Sequence, residues 1–532
     1  MEGAPSASSA PDSTRPRRPL ALMAAVALLA ITGGISIVTG RLSLATAGTG
    51  SPQPGIETPV TAMDLSVEPA SNSPLLVSDP TERRFVVMAN RIDSPAFSCA
   101  LQVSGDGGQS WEPVDAVPDL PVGADTCYAP EVGFDRDGVL YYLFVGLHGA
   151  GNEPMGAFLT TSADRARTFS PPRQVLGPLN FGVRMGIDRD LGRSGRIHLL
   201  WLHATSDPAG GFGSPPNPIL TAYSDDGGVT FSDPLEVSDP GRQRVVAPAL
   251  ALGPDHAVHV AYYDLKNDDR DYRGLEGPVW EGTWAVVAAT STDGGRSFGA
   301  GAVVDDEVGP PERVMLIFTM APPSLAVNSG RTCVAWTDAR SGDADALLRC
   351  SADGHRWAEP VRLNDDRAGT GRRQYLPRLA MAPDGRVDAI FYDRRDDPEN
   401  LLNHVYYTFS TDGGRSFAPN VRITGDPSYS RIGQQYGVTS AEGQFEIGAR
   451  LGLLSDPGRA LAAWADTRHY LEGTRNQDIF VAEITVPEPE TPGWVSLLGA
   501  ALLLAGVASL ALAARAWLSK PAASDPVQQG KG

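Results

Sequence analysis

Positive charge is what this chain is short of. Over 532 residues, 44 lysines and arginines stand against 63 aspartates and glutamates, a net charge of −19. A nucleic-acid partner needs a basic face to neutralise phosphates, so that class is excluded. Cysteine is scarce as well: there are four, none in the Cys-x-x-Cys spacing of a structural zinc site. His256 and His259 fall on opposite sides of an extended strand, which makes them poor ligands for one metal ion. The acidic run Asn267-Asp268-Asp269-Arg270-Asp271 lacks the Asp-x-Asp-x-Asp-Gly alternation of a calcium loop and reads as solvated charge. No glycine-rich phosphate cradle and no nucleophile elbow occurs. Neither a metal nor a cofactor is expected.

What the chain has in quantity is one octapeptide and its copies. Ser410-Thr411-Asp412-Gly413-Gly414-Arg415-Ser416-Phe417 recurs as Ser104 to Trp111, Ser224 to Phe231 and Ser291 to Phe298. In the copy around Asp164 both glycines are lost, and the copy around Asp353 is one residue short before Trp357. The aspartates, Asp106, Asp164, Asp226, Asp293, Asp353 and Asp412, follow one another at 58, 62, 67, 60 and 59 residues. A period of this size marks a repeat architecture with one supersecondary unit per period. Each copy reads as a hairpin corner, the aspartate accepting backbone N–H bonds and a glycine supplying the left-handed backbone. The closing aromatic is expected between neighbouring sheets.

The pattern Ser-x-Asp-x-Gly-x-x-Trp/Phe resembles the Asp box, or bacterial neuraminidase repeat, of sialidases and sialidase-like β-propellers, over residues 56–486. The resemblance implies an all-β propeller of four-stranded blades with the box aspartates in a structural role. It implies no activity, because that superfamily holds enzymes and non-enzymes alike.

Short runs of β-branched and aromatic residues, punctuated by Asp-Gly and Pro, give the strands of each unit. Units open near Pro74, Pro130, Arg184, Pro248, Pro322, Pro377 and Arg450. That favours seven blades, with six, the number in the sialidases, as the alternative. The last unit has three strands and no box, so residues 59–67 are expected to supply its fourth strand and close the ring. Two long loops, 205–218 and 266–283, should project from one face.

The ends of the chain point to a membrane. Arg15, Arg17 and Arg18 precede an apolar run over 20–39, long enough at about 1.5 Å per residue to span the hydrocarbon. Ala45-Thr46-Ala47 also suits signal peptidase, leaving 19–41 as a cleaved signal or a retained anchor. A second run, 494–514, is followed by Arg515 and Lys520. Positive-inside logic puts 1–18 and 515–532 in the cytoplasm as tails and the middle outside. Val486-Pro487-Glu488-Pro489 before the second run and Arg515 after it also look like a PEP-type sorting signal. The expected order is therefore tail, membrane segment, disordered linker 42–58, propeller 59–486, linker 487–493, transmembrane helix 494–514 and tail, with the propeller extracytoplasmic.

In an exported chain four cysteines suggest two disulfides. Cys333 and Cys350 lie opposite each other if 332–336 and 346–350 are adjacent antiparallel strands, which leaves Cys99 with Cys127. Free buried thiols are the alternative.

By resemblance to the sialidases, any site lies on the face opposite the boxes, where second strands exit. Those exits recur as Trp336-Thr337-Asp338-Ala339-Arg340, Tyr392-Asp393-Arg394-Arg395 and Trp464-Ala465-Asp466-Thr467-Arg468. Aspartate and arginine two apart on a strand point the same way, so ion pairing within the scaffold is the first reading. Sialidase-type hydrolysis would need three arginines on one carboxylate, a tyrosine–glutamate nucleophile pair and an aspartate acid/base. The candidates for these roles are Arg373, Arg395, Arg468, Tyr375, Tyr436, Glu446 and Asp393, among a wider pool with Arg91, Arg244, Arg313, Tyr128 and Glu131. The family's Arg-Ile-Pro signature is missing: Asn90-Arg91-Ile92-Asp93 carries aspartate in place of proline. The sequence therefore favours a membrane-anchored propeller that binds a glycan or protein ligand without turnover. An exo-sialidase-type hydrolase and a purely structural surface protein remain the alternatives.

Overall fold

A computed structural model of the chain describes residues 51–487 except 56, 60–68, 94–95, 116–118, 150–151, 193–194, 206–214, 270–279, 311–319, 329, 430–434, 437–443, 446 and 470–475, and beyond them Leu512 and Arg515. No described helix is long and apolar enough to cross a membrane, and the expected spans 19–41 and 494–514 lie, but for Leu512, outside the described residues.

Residues 49–488 cluster as one unit whose described residues form seven antiparallel sheets of four or more strands and one two-stranded sheet. The sixth shows the plan: Gln374–Met381 pairs with Val387–Asp393, which pairs with Leu402–Ser410, which pairs with Val421–Arg422. The first strands of successive sheets touch one another around a ring, and Ser71–Ser78 of the first sheet meets Gly452–Asp456 of the last. This is a closed seven-bladed propeller, so the six-bladed alternative is set aside.

The last blade is completed from the N-terminal side, by residues just before the expected stretch and by its first residue, Pro59. Gln53–Pro54 pairs with Ile484 and Thr485, and Thr58–Pro59 pairs with Phe480 and Val481. The described pairing thus begins within the segment read as a disordered linker and reaches Pro59, and 60–67 falls outside the described residues. Glu57 fixes the closure by pairing with Arg468 and accepting the Gly425 N–H.

Each box aspartate organises its corner as the sequence implied. Asp412 Oδ1 accepts the N–H groups of Arg415 and Ser416 at 2.9 and 3.0 Å, and its Oδ2 accepts the Ser416 hydroxyl at 2.6 Å. Where the glycines are lost, Arg165 and Ala166 adopt φ of 63°, and Asp164 still accepts the Thr168 N–H at 2.9 Å. The corner also docks on the preceding blade. Arg331 donates to Gly413 O at 2.8 Å, Arg196 to Gly294 O at 2.7 Å, and Arg459 of the last blade to Gly107 O of the first at 2.6 Å. Phe417 packs among Cys333, Leu348 and Leu379, so the apolar cores are layers between blades rather than one centre.

Cys99 is bonded to Cys127, joining the first blade to the second, and Cys333 to Cys350 within the fifth. Cys333 and Cys350 are direct register partners, as the strand reading required. The acidic run is only partly solvated: Asp268 is fully buried and accepts the Trp284 indole N–H at 3.0 Å.

Candidate functional site

The first strand of most blades carries the same irregularity. Register slips by one residue between Asn72 and Leu75, Tyr128 and Glu131, Phe181 and Arg184, Val246 and Ala249, and Tyr375 and Arg378. A residue of positive φ marks each slip: Ser73, Ala129, Gly182, Ala247 and Leu376, with Gly448 at the corresponding place in the last blade. Proline often follows it, as at Pro74, Pro130, Pro248 and Pro377. Proline has no N–H to give a ladder, and a bulge turns the next side chain to a new direction. Here that next residue faces the central cavity of the ring.

The cavity measures about 450 Å³ and is lined by the first strands of all seven blades. At the position after the bulge the blades present, in order, Leu75, Glu131, Arg184, Ala249, Ser324, Arg378 and Arg450. Three guanidiniums thus share one enclosure with one carboxylate. Glu131, buried, accepts from Arg184 Nη1 at 3.3 Å and pairs with Arg450 Nη1. Arg450 also donates through Nη2 to Pro130 O at 2.7 Å and through Nε to Ser73 O at 3.2 Å, while Arg184 Nε reaches Pro248 O at 3.2 Å. Arg378 is the exception: its Nε is buried without a hydrogen-bond partner, and no ion pair holds its guanidinium among the described residues.

The cations are short of counter-charge. Burial lowers the pKa of Arg378 to about 10, with repulsion from Arg450 and Arg184 adding to the shift and Glu131 opposing it. Arg184 is shifted down by burial too, and there the attraction of Glu131 outweighs the repulsion of Arg450. Both arginines stay charged at neutral pH. A buried cation without a partner is costly, and an anion entering the cavity would relieve that cost.

The residues expected to form a site are scattered around this cavity. Arg373 and Tyr375 line it; the Tyr375 hydroxyl donates to Asn403 Oδ1 at 2.7 Å, and the ring stacks on Tyr392. Arg395 does not line it, being held by Asp393 at 2.8 Å and by Asn420 at 2.7 Å. Arg468 is held by Asp466 at 2.7 Å and by Glu57, and lies over the Phe480 ring. Asp393 is buried and also accepts from Gln374 at 3.1 Å. Burial shifts its pKa upward against the opposing pull of Arg395. Arg91 pairs with Asp93 and donates to Tyr128 Oη, and Arg244 donates to Lys266 O. Tyr436 stands on a two-residue strand, Gln435–Tyr436, whose side chains are outside the described residues, as are Glu446 and Arg313.

The second-strand exits are ion-paired within the scaffold. Asp338 accepts from the Trp336 indole at 2.8 Å and from Arg340 at 2.6 Å, and Asp466 accepts from Trp464 at 3.1 Å and Arg468 at 2.7 Å. The cluster that does face the cavity, Arg184, Arg378 and Arg450, was not among the candidates. Its signal was present in the sequence: aligning the units on their opening position sets arginine where other units carry leucine, alanine or serine. No group of three or more His, Cys, Asp or Glu side chains that could hold a metal occurs among the described residues.

The closed ring and the arginines at its centre together define a seven-bladed propeller with a cationic central cavity. Neither a protein-family model nor a curated protein matches the sequence. Among solved structures the chain is similar to a Dyadobacter fermentans protein of unknown function, at 13% identity over 82% of this chain and 99% of that one, with a TM-score of 0.47. It is similar to an α-L-arabinofuranosidase of Fusarium graminearum at 11% identity over 82% and 98%, TM-score 0.43. It is also similar to a Hadza microbial sialidase at 17% identity over 66% of each chain, TM-score 0.38.

Proposed function

We propose that this chain is an extracytoplasmic binding module, held at the membrane by residues 19–41 and 494–514, whose propeller takes an acidic ligand in its central cavity without turning it over. The observation that carries this reading is Arg378, a cation lining the central cavity whose Nε is buried without a hydrogen-bond partner and whose guanidinium no ion pair holds among the described residues. The ligand's acid completes the charge balance that Glu131 only begins. A glycan or a protein bearing a carboxylate is a source of that acid. A purely structural role has no use for such a group, since scaffold arginines here, such as Arg395 and Arg468, are each paired with a carboxylate.

The second reading, a sialidase-type hydrolase, is favoured by the five arginines that line one cavity, Arg184, Arg373, Arg378, Arg394 and Arg450. Against it, the two described groups nearest the required chemistry are already committed: the Tyr375 hydroxyl to Asn403, and Glu131 to Arg184 and Arg450.

The full chain in lipid nanodiscs, titrated with carboxylates and followed by thermal unfolding, tests both. A raised midpoint that Arg378→Met abolishes, with no fluorophore release from an aryl sialoside, is the expected result. Release that Arg378→Met abolishes would establish the hydrolase instead. Protease added to intact cells should digest the propeller; protection would overturn the extracytoplasmic placement.

A further inference from the structure

Apart from Arg378, several polar groups on the cavity wall already serve hydrogen bonds within the protein. Ser324 Oγ accepts the Leu379 N–H at 2.8 Å, Thr337 Oγ1 accepts the Leu376 N–H at 3.2 Å, and the Tyr375 hydroxyl donates to Asn403. Arg394 reaches the same Asn403 through Nε at 2.8 Å and Asn400 O through Nη1 at 3.0 Å. Much of the remaining wall is aliphatic: Leu76, Met185, Leu250, Leu325, Leu379 and Leu453, with the indoles of Trp284 and Trp336 beside them.

Such a wall discriminates by what it withholds. A sugar carries a hydroxyl on nearly every carbon, and each one stripped of water without a new partner costs binding free energy. A ligand with one acidic head and a hydrocarbon body leaves nothing unpaired, and its body gains from every methylene removed from water.

We infer that the cavity is built for a monocarboxylate with an apolar body, an aliphatic or aryl-alkyl acid, its head on Arg378 and its body against Leu250, Leu325 and Leu379. This rests on the anion-binding reading above and narrows it, putting the hydrocarbon acid in place of the acidic glycan. Arg378 is the specificity-determining cation, because Arg184 and Arg450 already share Glu131.

The test uses the full chain in nanodiscs, with empty nanodiscs as the partition control. Tryptophan fluorescence is the readout, since Trp284 and Trp336 line the cavity. Acetate, butyrate, hexanoate, 4-phenylbutyrate, glucuronate, N-acetylneuraminate and uncharged hexanol are the probes. Affinity is expected to rise about fourfold per added methylene from acetate to hexanoate. Hexanol and both acidic sugars should bind at least tenfold more weakly than hexanoate. Arg378→Met should remove the advantage of hexanoate over hexanol. Leu325→Trp, which fills the apolar part, should weaken 4-phenylbutyrate and leave acetate unchanged, a pattern that unfolding would not produce. If acetate and the acidic sugars bind as well as hexanoate, the apolar-body inference fails while the anion reading stands. If no carboxylate binds and Arg378→Met changes nothing, both fall.

Discussion

Arg450 donates to the carbonyl of Pro130 at 2.7 Å, so a residue at the opening of the seventh blade is tied to the second blade, past the first. The same guanidinium reaches Ser73 O in the first blade at 3.2 Å. One side chain therefore gathers three blades at the centre of the ring, and among the described residues its charge is balanced by Glu131, which Arg184 shares.

Glu131→Gln should expose that imbalance. Removing one partner of a buried ion pair costs about 3–5 kcal/mol, because the other charge stays buried and uncompensated. The variant should unfold at lower denaturant concentration by roughly that amount, and added carboxylate should bind more tightly than to the parent and restore most of the loss. Chemical denaturation with and without hexanoate measures both. A variant as stable as the parent, with unchanged carboxylate affinity, would mean that the three arginines do not depend on Glu131.

Closure of the ring gives a second expectation. Without residues 51–59 the strand Asp478–Thr485 loses its partners at Pro54 and Pro59 and becomes an open edge. Open edges pair with other chains. The deletion should elute as higher oligomers on size-exclusion chromatography, while Glu57→Gln, which removes only the charge opposite Arg468, should remain as the parent does but unfold more readily. A monodisperse, equally stable deletion would show that the last blade does not need its fourth strand.

Fold and site differ in how much of each the sequence displayed. The box corners were legible because each is a local device: Asp412, Ser416 and the glycines between them lie within five residues, and the pattern repeats in six of the seven blades. The Cys333–Cys350 pairing was legible because strand register follows from the hairpin that joins the two strands. The closing strand begins earlier than the sequence suggested, at Gln53 rather than Pro59. Gln53–Pro54 and Thr58–Pro59 are proline-containing pairs with no strand propensity of their own, and only their partners in the last blade make them strands. The cationic centre was overlooked for a related reason. Arg184, Arg378 and Arg450 are far apart in sequence, and each follows by two residues a positive-φ residue at the start of its blade, Gly182, Leu376 and Gly448, that brings it to the cavity. Arg395 and Arg468 carry the more conspicuous Asp-x-Arg pattern, but that pattern satisfies itself.

Two glycines should separate conformational need from mere abundance. A Cβ on Gly414, whose φ is 82°, would stand 2.4 Å from Cys350 Sγ, whereas one on Gly105 meets nothing within 4 Å. Gly414→Ala combines backbone strain of about 1–3 kcal/mol with a steric conflict at the neighbouring blade, and Gly105→Ala should be near neutral. Urea denaturation of both variants checks this. Equal midpoints would mean that the corner shifts to admit a side chain and that its contact with the fifth blade is loose.

The box aspartates should make stability depend on pH in a stated direction. Hydrogen bonds from the Thr230 hydroxyl and N–H hold the pKa of Asp226 down at about 2, against an ordinary value of 3.8, and the Thr168 donors do the same for Asp164. A group whose folded pKa is depressed contributes stability that is complete above its unfolded pKa and is lost as pH falls toward its folded one. The contribution of Asp226 is therefore whole at pH 6, declines from about 4 downward, and is gone near 2. Asp226→Asn keeps one acceptor and removes the charge, so it should be less stable than the parent at pH 6, with the gap narrowing at pH 4 and again at pH 3. Denaturation of both proteins at the three pH values reads the gap directly. A gap that stays constant from pH 6 to pH 3 would mean that the carboxylate acts in the corner as a neutral acceptor would, and that its charge does not contribute to holding the turn.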